Sequence, residues 1–451
     1  MASVDPGGTV PTPTLRRALG LWDLVLYGVI VIQPTAPMPV FGVVSERARG
    51  HVVTAVLIAM VAMLFTAISY GRMARAYPSA GSAFTYVGRE IHPALGYVTG
   101  WGMVMDYLLN PLICTILCGQ LARNLAPGVP YIAWTIFFAG LFTGLNLLGI
   151  QTSARINDTL AIGMGVVIAI FFVVSAHYVF RHPHAEAGFF THPFYDPGTF
   201  ELKPVLGGTS LAVLTYIGFD GISTLSEEAK NPTRDILLAT VLVCLITGVL
   251  AACEVYAAQL VWPTSNEFPD VVTGYVSVAR RAGGAWLMQL VNGTLLLATV
   301  GSGMGSQLGA ARLLYAMGRG NAIPKSFFGT LHPITQIPRN NVLFSGALAL
   351  VGALTISFAR GVDLLNFGAL IAFMGVNAAS LVHYYVRPPS RSWRDFFPPV
   401  LGFLVCLLLW WNLNPKAKVA GTLWMLAGLG YGAIRTQGFR GELVNFEVPD
   451  G

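Results

Sequence analysis

The chain has 451 residues, 54% hydrophobic and 11% charged, against about 25% charged in an average soluble protein, and its mean hydropathy is +0.64. A soluble globular protein of this size is excluded. At roughly 20 apolar residues per crossing the composition supplies about a dozen transmembrane helices, so one all-α polytopic membrane domain in a lipid bilayer is expected. The formal charge of +6 would suggest a nucleic-acid partner in a soluble chain. Here the 27 Lys and Arg stand mostly singly between apolar runs, as loop charges that orient helices do, and no nucleic acid is expected.

Residues 1–18 are polar, carry Pro and Gly, and lack a cleavable signal pattern, so they are expected to form a disordered cytoplasmic tail ending at Arg16 and Arg17. Twelve apolar segments follow, at about 19–44, 52–74, 93–122, 129–148, 158–180, 205–225, 236–262, 285–317, 342–358, 364–385, 397–411 and 419–434. If the N-terminus is cytoplasmic, 17 of the 27 Lys and Arg fall on the inner side. That excess predicts both termini inside, in the cytoplasmic (inner or plasma) membrane.

The first and sixth segments are interrupted. Segment 1 contains Gln33-Pro34-Thr35-Ala36-Pro37-Met38-Pro39, and segment 6 contains Tyr216-Ile217-Gly218-Phe219-Asp220-Gly221. Three prolines in six residues remove three backbone donors, and irregular backbone at membrane depth survives only inside protein or beside a cavity. A short amphipathic stretch, 83–91, leads into segment 3, and a similar one, 271–281, leads through Gly283-Gly284 into segment 8. The pattern predicts two five-segment units of opposite topology, 19–180 and 205–386, followed by two added segments over 397–436 and a cytoplasmic tail at 437–451. Broken helices at matched positions of inverted repeats mark a transport site near the midplane.

Ionisable residues inside membrane segments cost about 2.5–3.5 kcal/mol on insertion scales, so each is a functional candidate. Asp23, Asp106, Asp220 and Glu254 qualify, and no Lys or Arg lies at comparable depth. Acids without internal cations attract a proton, a metal ion or an organic amine. Asp106 lies about four turns into segment 3 and is either a site carboxyl or a protonated packing group. Asp220 is a cation ligand, the N-cap of the following half-helix, or both. Glu254 is a proton relay or a hydrogen-bonded acid of the outer half. Asp23, near the end of segment 1, reads as interfacial. Gln33, Pro34, Thr35, Ala36, Asp106, Tyr107, Tyr216, Ile217, Gly218, Phe219 and Asp220 are the expected substrate contacts, with Asp106, Asp220 and Glu254 as proton-coupling candidates. Segment 8 adds Ser302, Ser306 and Gln307 as polar contacts. Its glycines at 301, 305 and 309 read as a stripe for close helix packing.

The five cysteines lie in apolar runs and read as small buried residues. His182, His184 and His192 cluster in one loop as a weak metal candidate beside the solvated-loop reading. Neither a Ser, His and Asp set nor a His-Glu-x-x-His element occurs, so no enzyme, cofactor or metal site is expected.

Three separated stretches carry a family resemblance: Gly71-Arg72-Met73-Ala74-Arg75-Ala76-Tyr77-Pro78-Ser79-Ala80-Gly81-Ser82; the run from Ile217 to Ile236 containing Glu227-Glu228-Ala229-Lys230-Asn231-Pro232; and Ala311-Arg312-Leu313-Leu314-Tyr315-Ala316-Met317-Gly318-Arg319-Gly320. In this order, the chain resembles amino acid-polyamine-organocation permeases from about Leu15 to Arg387. Val43-Val44-Ser45-Glu46, Gly100-Trp101 and Asp106-Tyr107 look most like the putrescine-importer branch. The resemblance implies a LeuT-type fold with a 5+5 inverted repeat, and substrate held between segments 1, 3, 6 and 8. It places family site positions on Asp106, Tyr107 and Asp220. The chain departs from the family in three places. The Gly-Ser-Gly-like turn that holds a carboxylate is replaced by the proline-rich break, Pro39 stands where importer-like sequences carry an acid, and Met164 stands where some proton-coupled members carry a lysine.

The expected function is therefore secondary active transport of amino acids, polyamines or other amines by alternating access, coupled to protons, with sodium coupling or exchange also open. The rival readings are a neutral amino acid permease or exchanger in which Asp106 is structural, and, outside transport, a membrane receptor or scaffold.

Overall fold

The computed structural model describes residues 19–77, 82–149, 154–182, 188–226, 229–263, 268–319, 323–333, 335 and 337–438. The expected tail 1–18, all but the first two residues of the tail 437–451, the motif residues 78–81, Glu227, Glu228 and Gly320, and His184 lie outside the described residues. Fifteen α-helices are present: α1 (Leu21–Ile32), α2 (Pro37–Arg47), α3 (Val52–Ala76), α4 (Ser82–Glu90), α5 (Pro93–Leu125), α6 (Tyr131–Leu147), α7 (Ala154–Arg181), α8 (Leu202–Ala212), α9 (Pro232–Val261), α10 (Gly274–Arg319), α11 (Lys325–Phe328), α12 (Arg339–Thr355), α13 (Phe358–Leu381), α14 (Trp393–Trp411) and α15 (Pro415–Arg435). The described residues form no strand. Their one β-bridge joins Leu19 to Ala229.

By length and composition, eight helical runs among the described residues are apolar enough to cross a membrane, and nine if α1 and α2 are taken as one bent span. With the family assignment given below, this makes the chain an integral membrane protein. Helical structure underlies all twelve expected segments, but α6, α12 and α15 do not meet that measure.

The two expected interruptions are present. α1 stops at Ile32, Gln33 adopts a left-handed φ of 71°, and Pro37 restarts the chain as the first residue of α2, where a proline's missing N–H costs nothing. The two halves are bent by 56°. After α8 the chain tightens into a 3-10 turn, Val213–Tyr216, extends at Ile217, and passes through Gly218 at φ 121° into a second 3-10 turn, Phe219–Leu225. Only glycine enters that backbone region without strain. The breaks abut: a Cβ added at Gly218 would sit 3.2 Å from Val31. α10 is likewise broken at Gly284, φ 77°.

Around these irregular pieces the regular helices pack closely. α3 lies along α9, and α5 lies between α10 and α13. α15 is fastened to α5 by reciprocal hydrogen bonds, Trp101 Nε1 to the Trp424 carbonyl (2.9 Å) and Trp424 Nε1 to the Trp101 carbonyl (3.1 Å), with the two rings stacked at 5.0 Å. Gly428 permits this approach, since its Cβ would meet the Trp101 ring at 2.3 Å.

Where α3 ends and α5 begins, a polar cluster ties four elements together. The fully buried Glu90 carboxylate of α4 accepts hydrogen bonds from the Tyr77 hydroxyl and from His383 Nδ1 (2.6 Å), and pairs with Arg387 (3.2 Å). The Tyr77 phenol is pushed above its ordinary pKa, first by donating its proton to Glu90 and then by burial. Beside it Arg72 pairs with Asp395 (3.1 Å), and the Tyr384 hydroxyl donates to the Arg72 carbonyl (2.7 Å).

One cysteine departs from expectation. Four of the five are buried free thiols, but Cys253 is exposed on α9, because an apolar run in a membrane bundle carries an outward face that is as apolar as its core.

Candidate functional site

The two breaks, the middle of α5 and the middle of α10 enclose a chamber of about 500 Å³. α5 contributes Asp106, Tyr107 and Asn110; the breaks contribute Gln33, Ile217, Gly218, Asp220 and Gly221; α10 contributes Ser302 and Ser306. Tyr27 of α1 and Met164 of α7 complete the wall. Asp106 and Asp220 are both only partly covered and face the same space. Among the described residues no Lys, Arg or His lines it, and no ion pair reaches either carboxyl.

Asp220 is held by the break itself. The backbone N–H groups of Gly218, Asp220 and Gly221 lie beside its carboxyl, and its own carbonyl accepts from the Ser223 hydroxyl (2.6 Å). It lies in the first turn of a short 3-10 segment whose N-cap is Gly218, and so caps no α half-helix. Asp106, by contrast, projects from a continuous helix. The chamber thus presents one carboxyl from a rigid wall and one from irregular backbone.

A second, smaller cavity of about 110 Å³ adjoins the chamber, with Gln33, Asn110, Ile217 and Ser302 among the residues common to both. Ile113, Cys114 and Leu117 of α5, Thr299 of α10 and Ala36 continue its wall. Beyond it a third cavity, about 800 Å³, is lined by Gln120, Arg123 and Asn124 of α5 and by Arg280 and Arg281 of α10, with Asp270. Asp106, Asn110, Cys114, Leu117, Gln120 and Asn124 recur every three or four residues, so one face of α5 borders all three spaces in turn.

Several expected contacts sit elsewhere. Tyr216 is fully buried with its hydroxyl on the Val56 carbonyl (2.8 Å), and Phe219 packs edge-on against Tyr70 and tilted against Phe373. Gln307 is buried between helices, bonded to Asn146, Thr143 and the Val342 carbonyl. The Thr35 hydroxyl bonds Met164 Sδ (3.3 Å), one layer behind the wall, and Pro34 borders none of the three spaces. Glu254 is fully buried on α9, away from the chamber, with neither oxygen bonded among the described residues. Asp23 accepts from the Gly20 N–H (2.8 Å) in the exposed first turn of α1.

The glycine stripe of α10 also reads differently. A Cβ at Gly301 or Gly305 would meet nothing within 4 Å, while one at Gly309 would contact Tyr107. The first two glycines leave the chamber open rather than draw helices together. Sequence reasoning did not single out Tyr27 and Asn110, and it noted Met164 only as standing where some proton-coupled relatives carry a lysine. Asn110 carried a signal, since it lies one helical turn beyond Asp106 on the same face.

The sequence model of the amino acid permease family matches residues 41–432. The chain belongs to the amino acid permease family. It is 34% identical to the low-affinity putrescine importer of Escherichia coli K12 over 96% of each chain. It is 28% identical to a branched-chain amino acid permease of Bacillus subtilis, over 92% of each chain, and 25% identical to a methylthioribose transporter of the same organism, again over 92% of each. This permease is therefore a transporter and not an enzyme, and the expected resemblance to amino acid-polyamine-organocation permeases holds over most of its length.

Proposed function

We propose that this permease moves a small cationic amine through the chamber by alternating access, with Asp106 and Asp220 receiving the ammonium group. One observation carries the reading: two carboxyls share a space of about 500 Å³ that no basic side chain lines. A substrate cation supplies the counter-charge that the protein withholds. At an effective dielectric of ~20, a charge pair at ~4 Å is worth about 4 kcal/mol, several times a neutral hydrogen bond at about 0.5–1.5 kcal/mol. Charge therefore dominates selection, and Tyr27 and Tyr107 add aromatic walls suited to a cation. The similarity to a putrescine importer supports the same class of substrate.

In this reading the two broken elements belong to inverted five-helix units, 19–180 and 205–386, within a LeuT-type bundle of twelve spans, and both termini lie on the cytoplasmic side of the inner membrane. Proton coupling is proposed, because the chamber acids and Glu254 are acidic groups placed within candidate membrane spans.

A second reading, an amino acid as substrate, is favoured by the outer cavity. Its three arginines face one aspartate, a balance that attracts a carboxylate and repels a dication. Counterflow in proteoliposomes separates the two. Uptake of labelled diamines, abolished by Asp106→Asn and collapsed by a proton ionophore but not by a sodium ionophore, supports the first. Uptake of amino acids alone overturns it.

A further inference from the structure

We propose that the 110 Å³ cavity beyond Asn110 is a length-reading subsite that takes the far end of an elongated linear amine. The inference rests on the amine reading of the chamber and adds a second compartment with its own residues, Asn110, Cys114 and Thr299.

The observation behind it is the contrast between two connected spaces. The chamber holds both carboxyls. The smaller cavity holds none, and its polar groups are neutral: Gln33, Asn110, Cys114, Thr299 and Ser302. Three of their hydrogens are already committed. Gln33 Nε2 donates to the Ala298 carbonyl (3.2 Å), the Cys114 thiol to Asn110 Oδ1 (3.3 Å), and the Thr299 hydroxyl to the Leu295 carbonyl (2.7 Å). What remains for a guest is a neutral set of oxygen lone pairs with the Asn110 amide and the Ser302 hydroxyl. A compartment of uncharged groups can accept from an N–H-bearing end and offers a carboxylate no countercharge.

Helix geometry supplies the ruler. With a rise of about 1.5 Å per residue, Asn110 lies about 6 Å beyond Asp106 along α5, and Cys114 about 12 Å beyond it. An amine whose nitrogens are about 6 Å apart ends at the shared wall. One spanning about 11–12 Å must enter the smaller cavity, which has room for roughly four groups of water size at ~30 Å³ each. That admits an unbranched aminoalkyl end and excludes a ring. Ile113 and Leu117 line it further along α5, and its volume of about 110 Å³ sets an upper limit on length.

The test compares a four-carbon diamine with a linear triamine about 11–12 Å long, both as labelled substrates in proteoliposomes, for the unmodified permease, Cys114→Leu and Thr299→Val. Cys114→Leu fills the cavity, and Thr299→Val keeps its shape while removing an acceptor. The expected result is a fall of tenfold or more in the triamine-to-diamine ratio of kcat/KM in Cys114→Leu and a smaller fall in Thr299→Val. A ratio within threefold of the unmodified value in both variants overturns the subsite. A readout independent of variant folding is modification of Cys114 in the unmodified permease by methyl methanethiosulfonate, followed on the Cys114 peptide by mass spectrometry. Protection by the triamine but not the diamine supports the proposal, and equal protection overturns it. If the unmodified permease takes up neither amine, the amine reading fails and the subsite with it, an outcome distinct from an unchanged ratio.

Discussion

Two groups of covered acids sit at different depths of this permease and are solved in opposite ways. Glu90, at the end of the bundle where α5 begins, is surrounded by Tyr77, His383 and Arg387, so its charge is neutralised by the protein. Asp106 and Asp220 share a cavity in which no described residue is basic, and among the described residues neither is ion-paired. Removing a charge from water is costly unless it is paired. A fold that pairs Glu90 so fully and leaves the chamber acids open fits the proposed role of the latter, a site for a partner that comes and goes. On that reading the first acid ties elements together and the second pair takes the cargo.

Substitution at the chamber acids is the strongest way to break this comparison. Asp106→Asn and Asp220→Asn are each expected to lower amine uptake by 100-fold or more, on the order of the ~4 kcal/mol of a close charge pair, with melting temperature in detergent held within a few degrees. Retained uptake with a lowered melting temperature would move these acids into the structural class. Glu90→Gln should behave in the reverse manner. Loss of its charged hydrogen bonds is expected to destabilise the fold by about 1–3 kcal/mol, read as an earlier thermal transition, with kcat per folded molecule largely kept. Loss of uptake at an unchanged melting temperature would place Glu90 with the chamber acids instead.

Gly218→Ala tests the irregular backbone between them. At φ 121° a side chain is strained by about 1–3 kcal/mol, and uptake is expected to fall more than stability, because the strain lies in the turn that positions Asp220.

The smallest effect is expected in the loop before α8. Asp196 is held below its ordinary pKa, first by the Gly198 N–H and then by the Thr199 hydroxyl and nearby histidines. Its contribution is full above the usual carboxylate range and is lost as pH falls through the lowered folded value. Melting curves across pH 3–6 should therefore show a slightly flatter acid limb for Asp196→Ala.

How much of this was legible beforehand follows from what each feature depends on. The breaks in α1 and after α8 were readable because Pro34, Pro37, Pro39 and Gly218 act locally, through missing donors and permitted dihedrals. Asp106 and Asp220 were readable because a membrane makes any isolated acid conspicuous. Side-chain direction was not readable. Tyr216 and Phe219 flank Gly218 as closely as Asp220 does, yet the 3-10 geometry turns them into the core, and Gln307, next to Ser306, faces α6 and α12 instead of the chamber. Glu90 lay between predicted segments, where a charge seems solvated until α4 is seen folded beneath α13. The openness of Gly301 and Gly305 likewise depends on what α10 faces, and no pattern of small residues reveals that.

The paired tryptophans between α5 and α15 bear on mechanics. Trp101 lies five residues from Asp106, about 7.5 Å along the same helix, and two mutual hydrogen bonds and a stacked contact pin it to the C-terminal helix. Asp106 is thereby mounted on a braced post, while Asp220 sits in a 3-10 turn. Under the proposed amine reading, the gap between the two carboxyls is the adjustable dimension of the machine: movement of the 3-10 segment would tighten or slacken the grip on a cation while the post stays still.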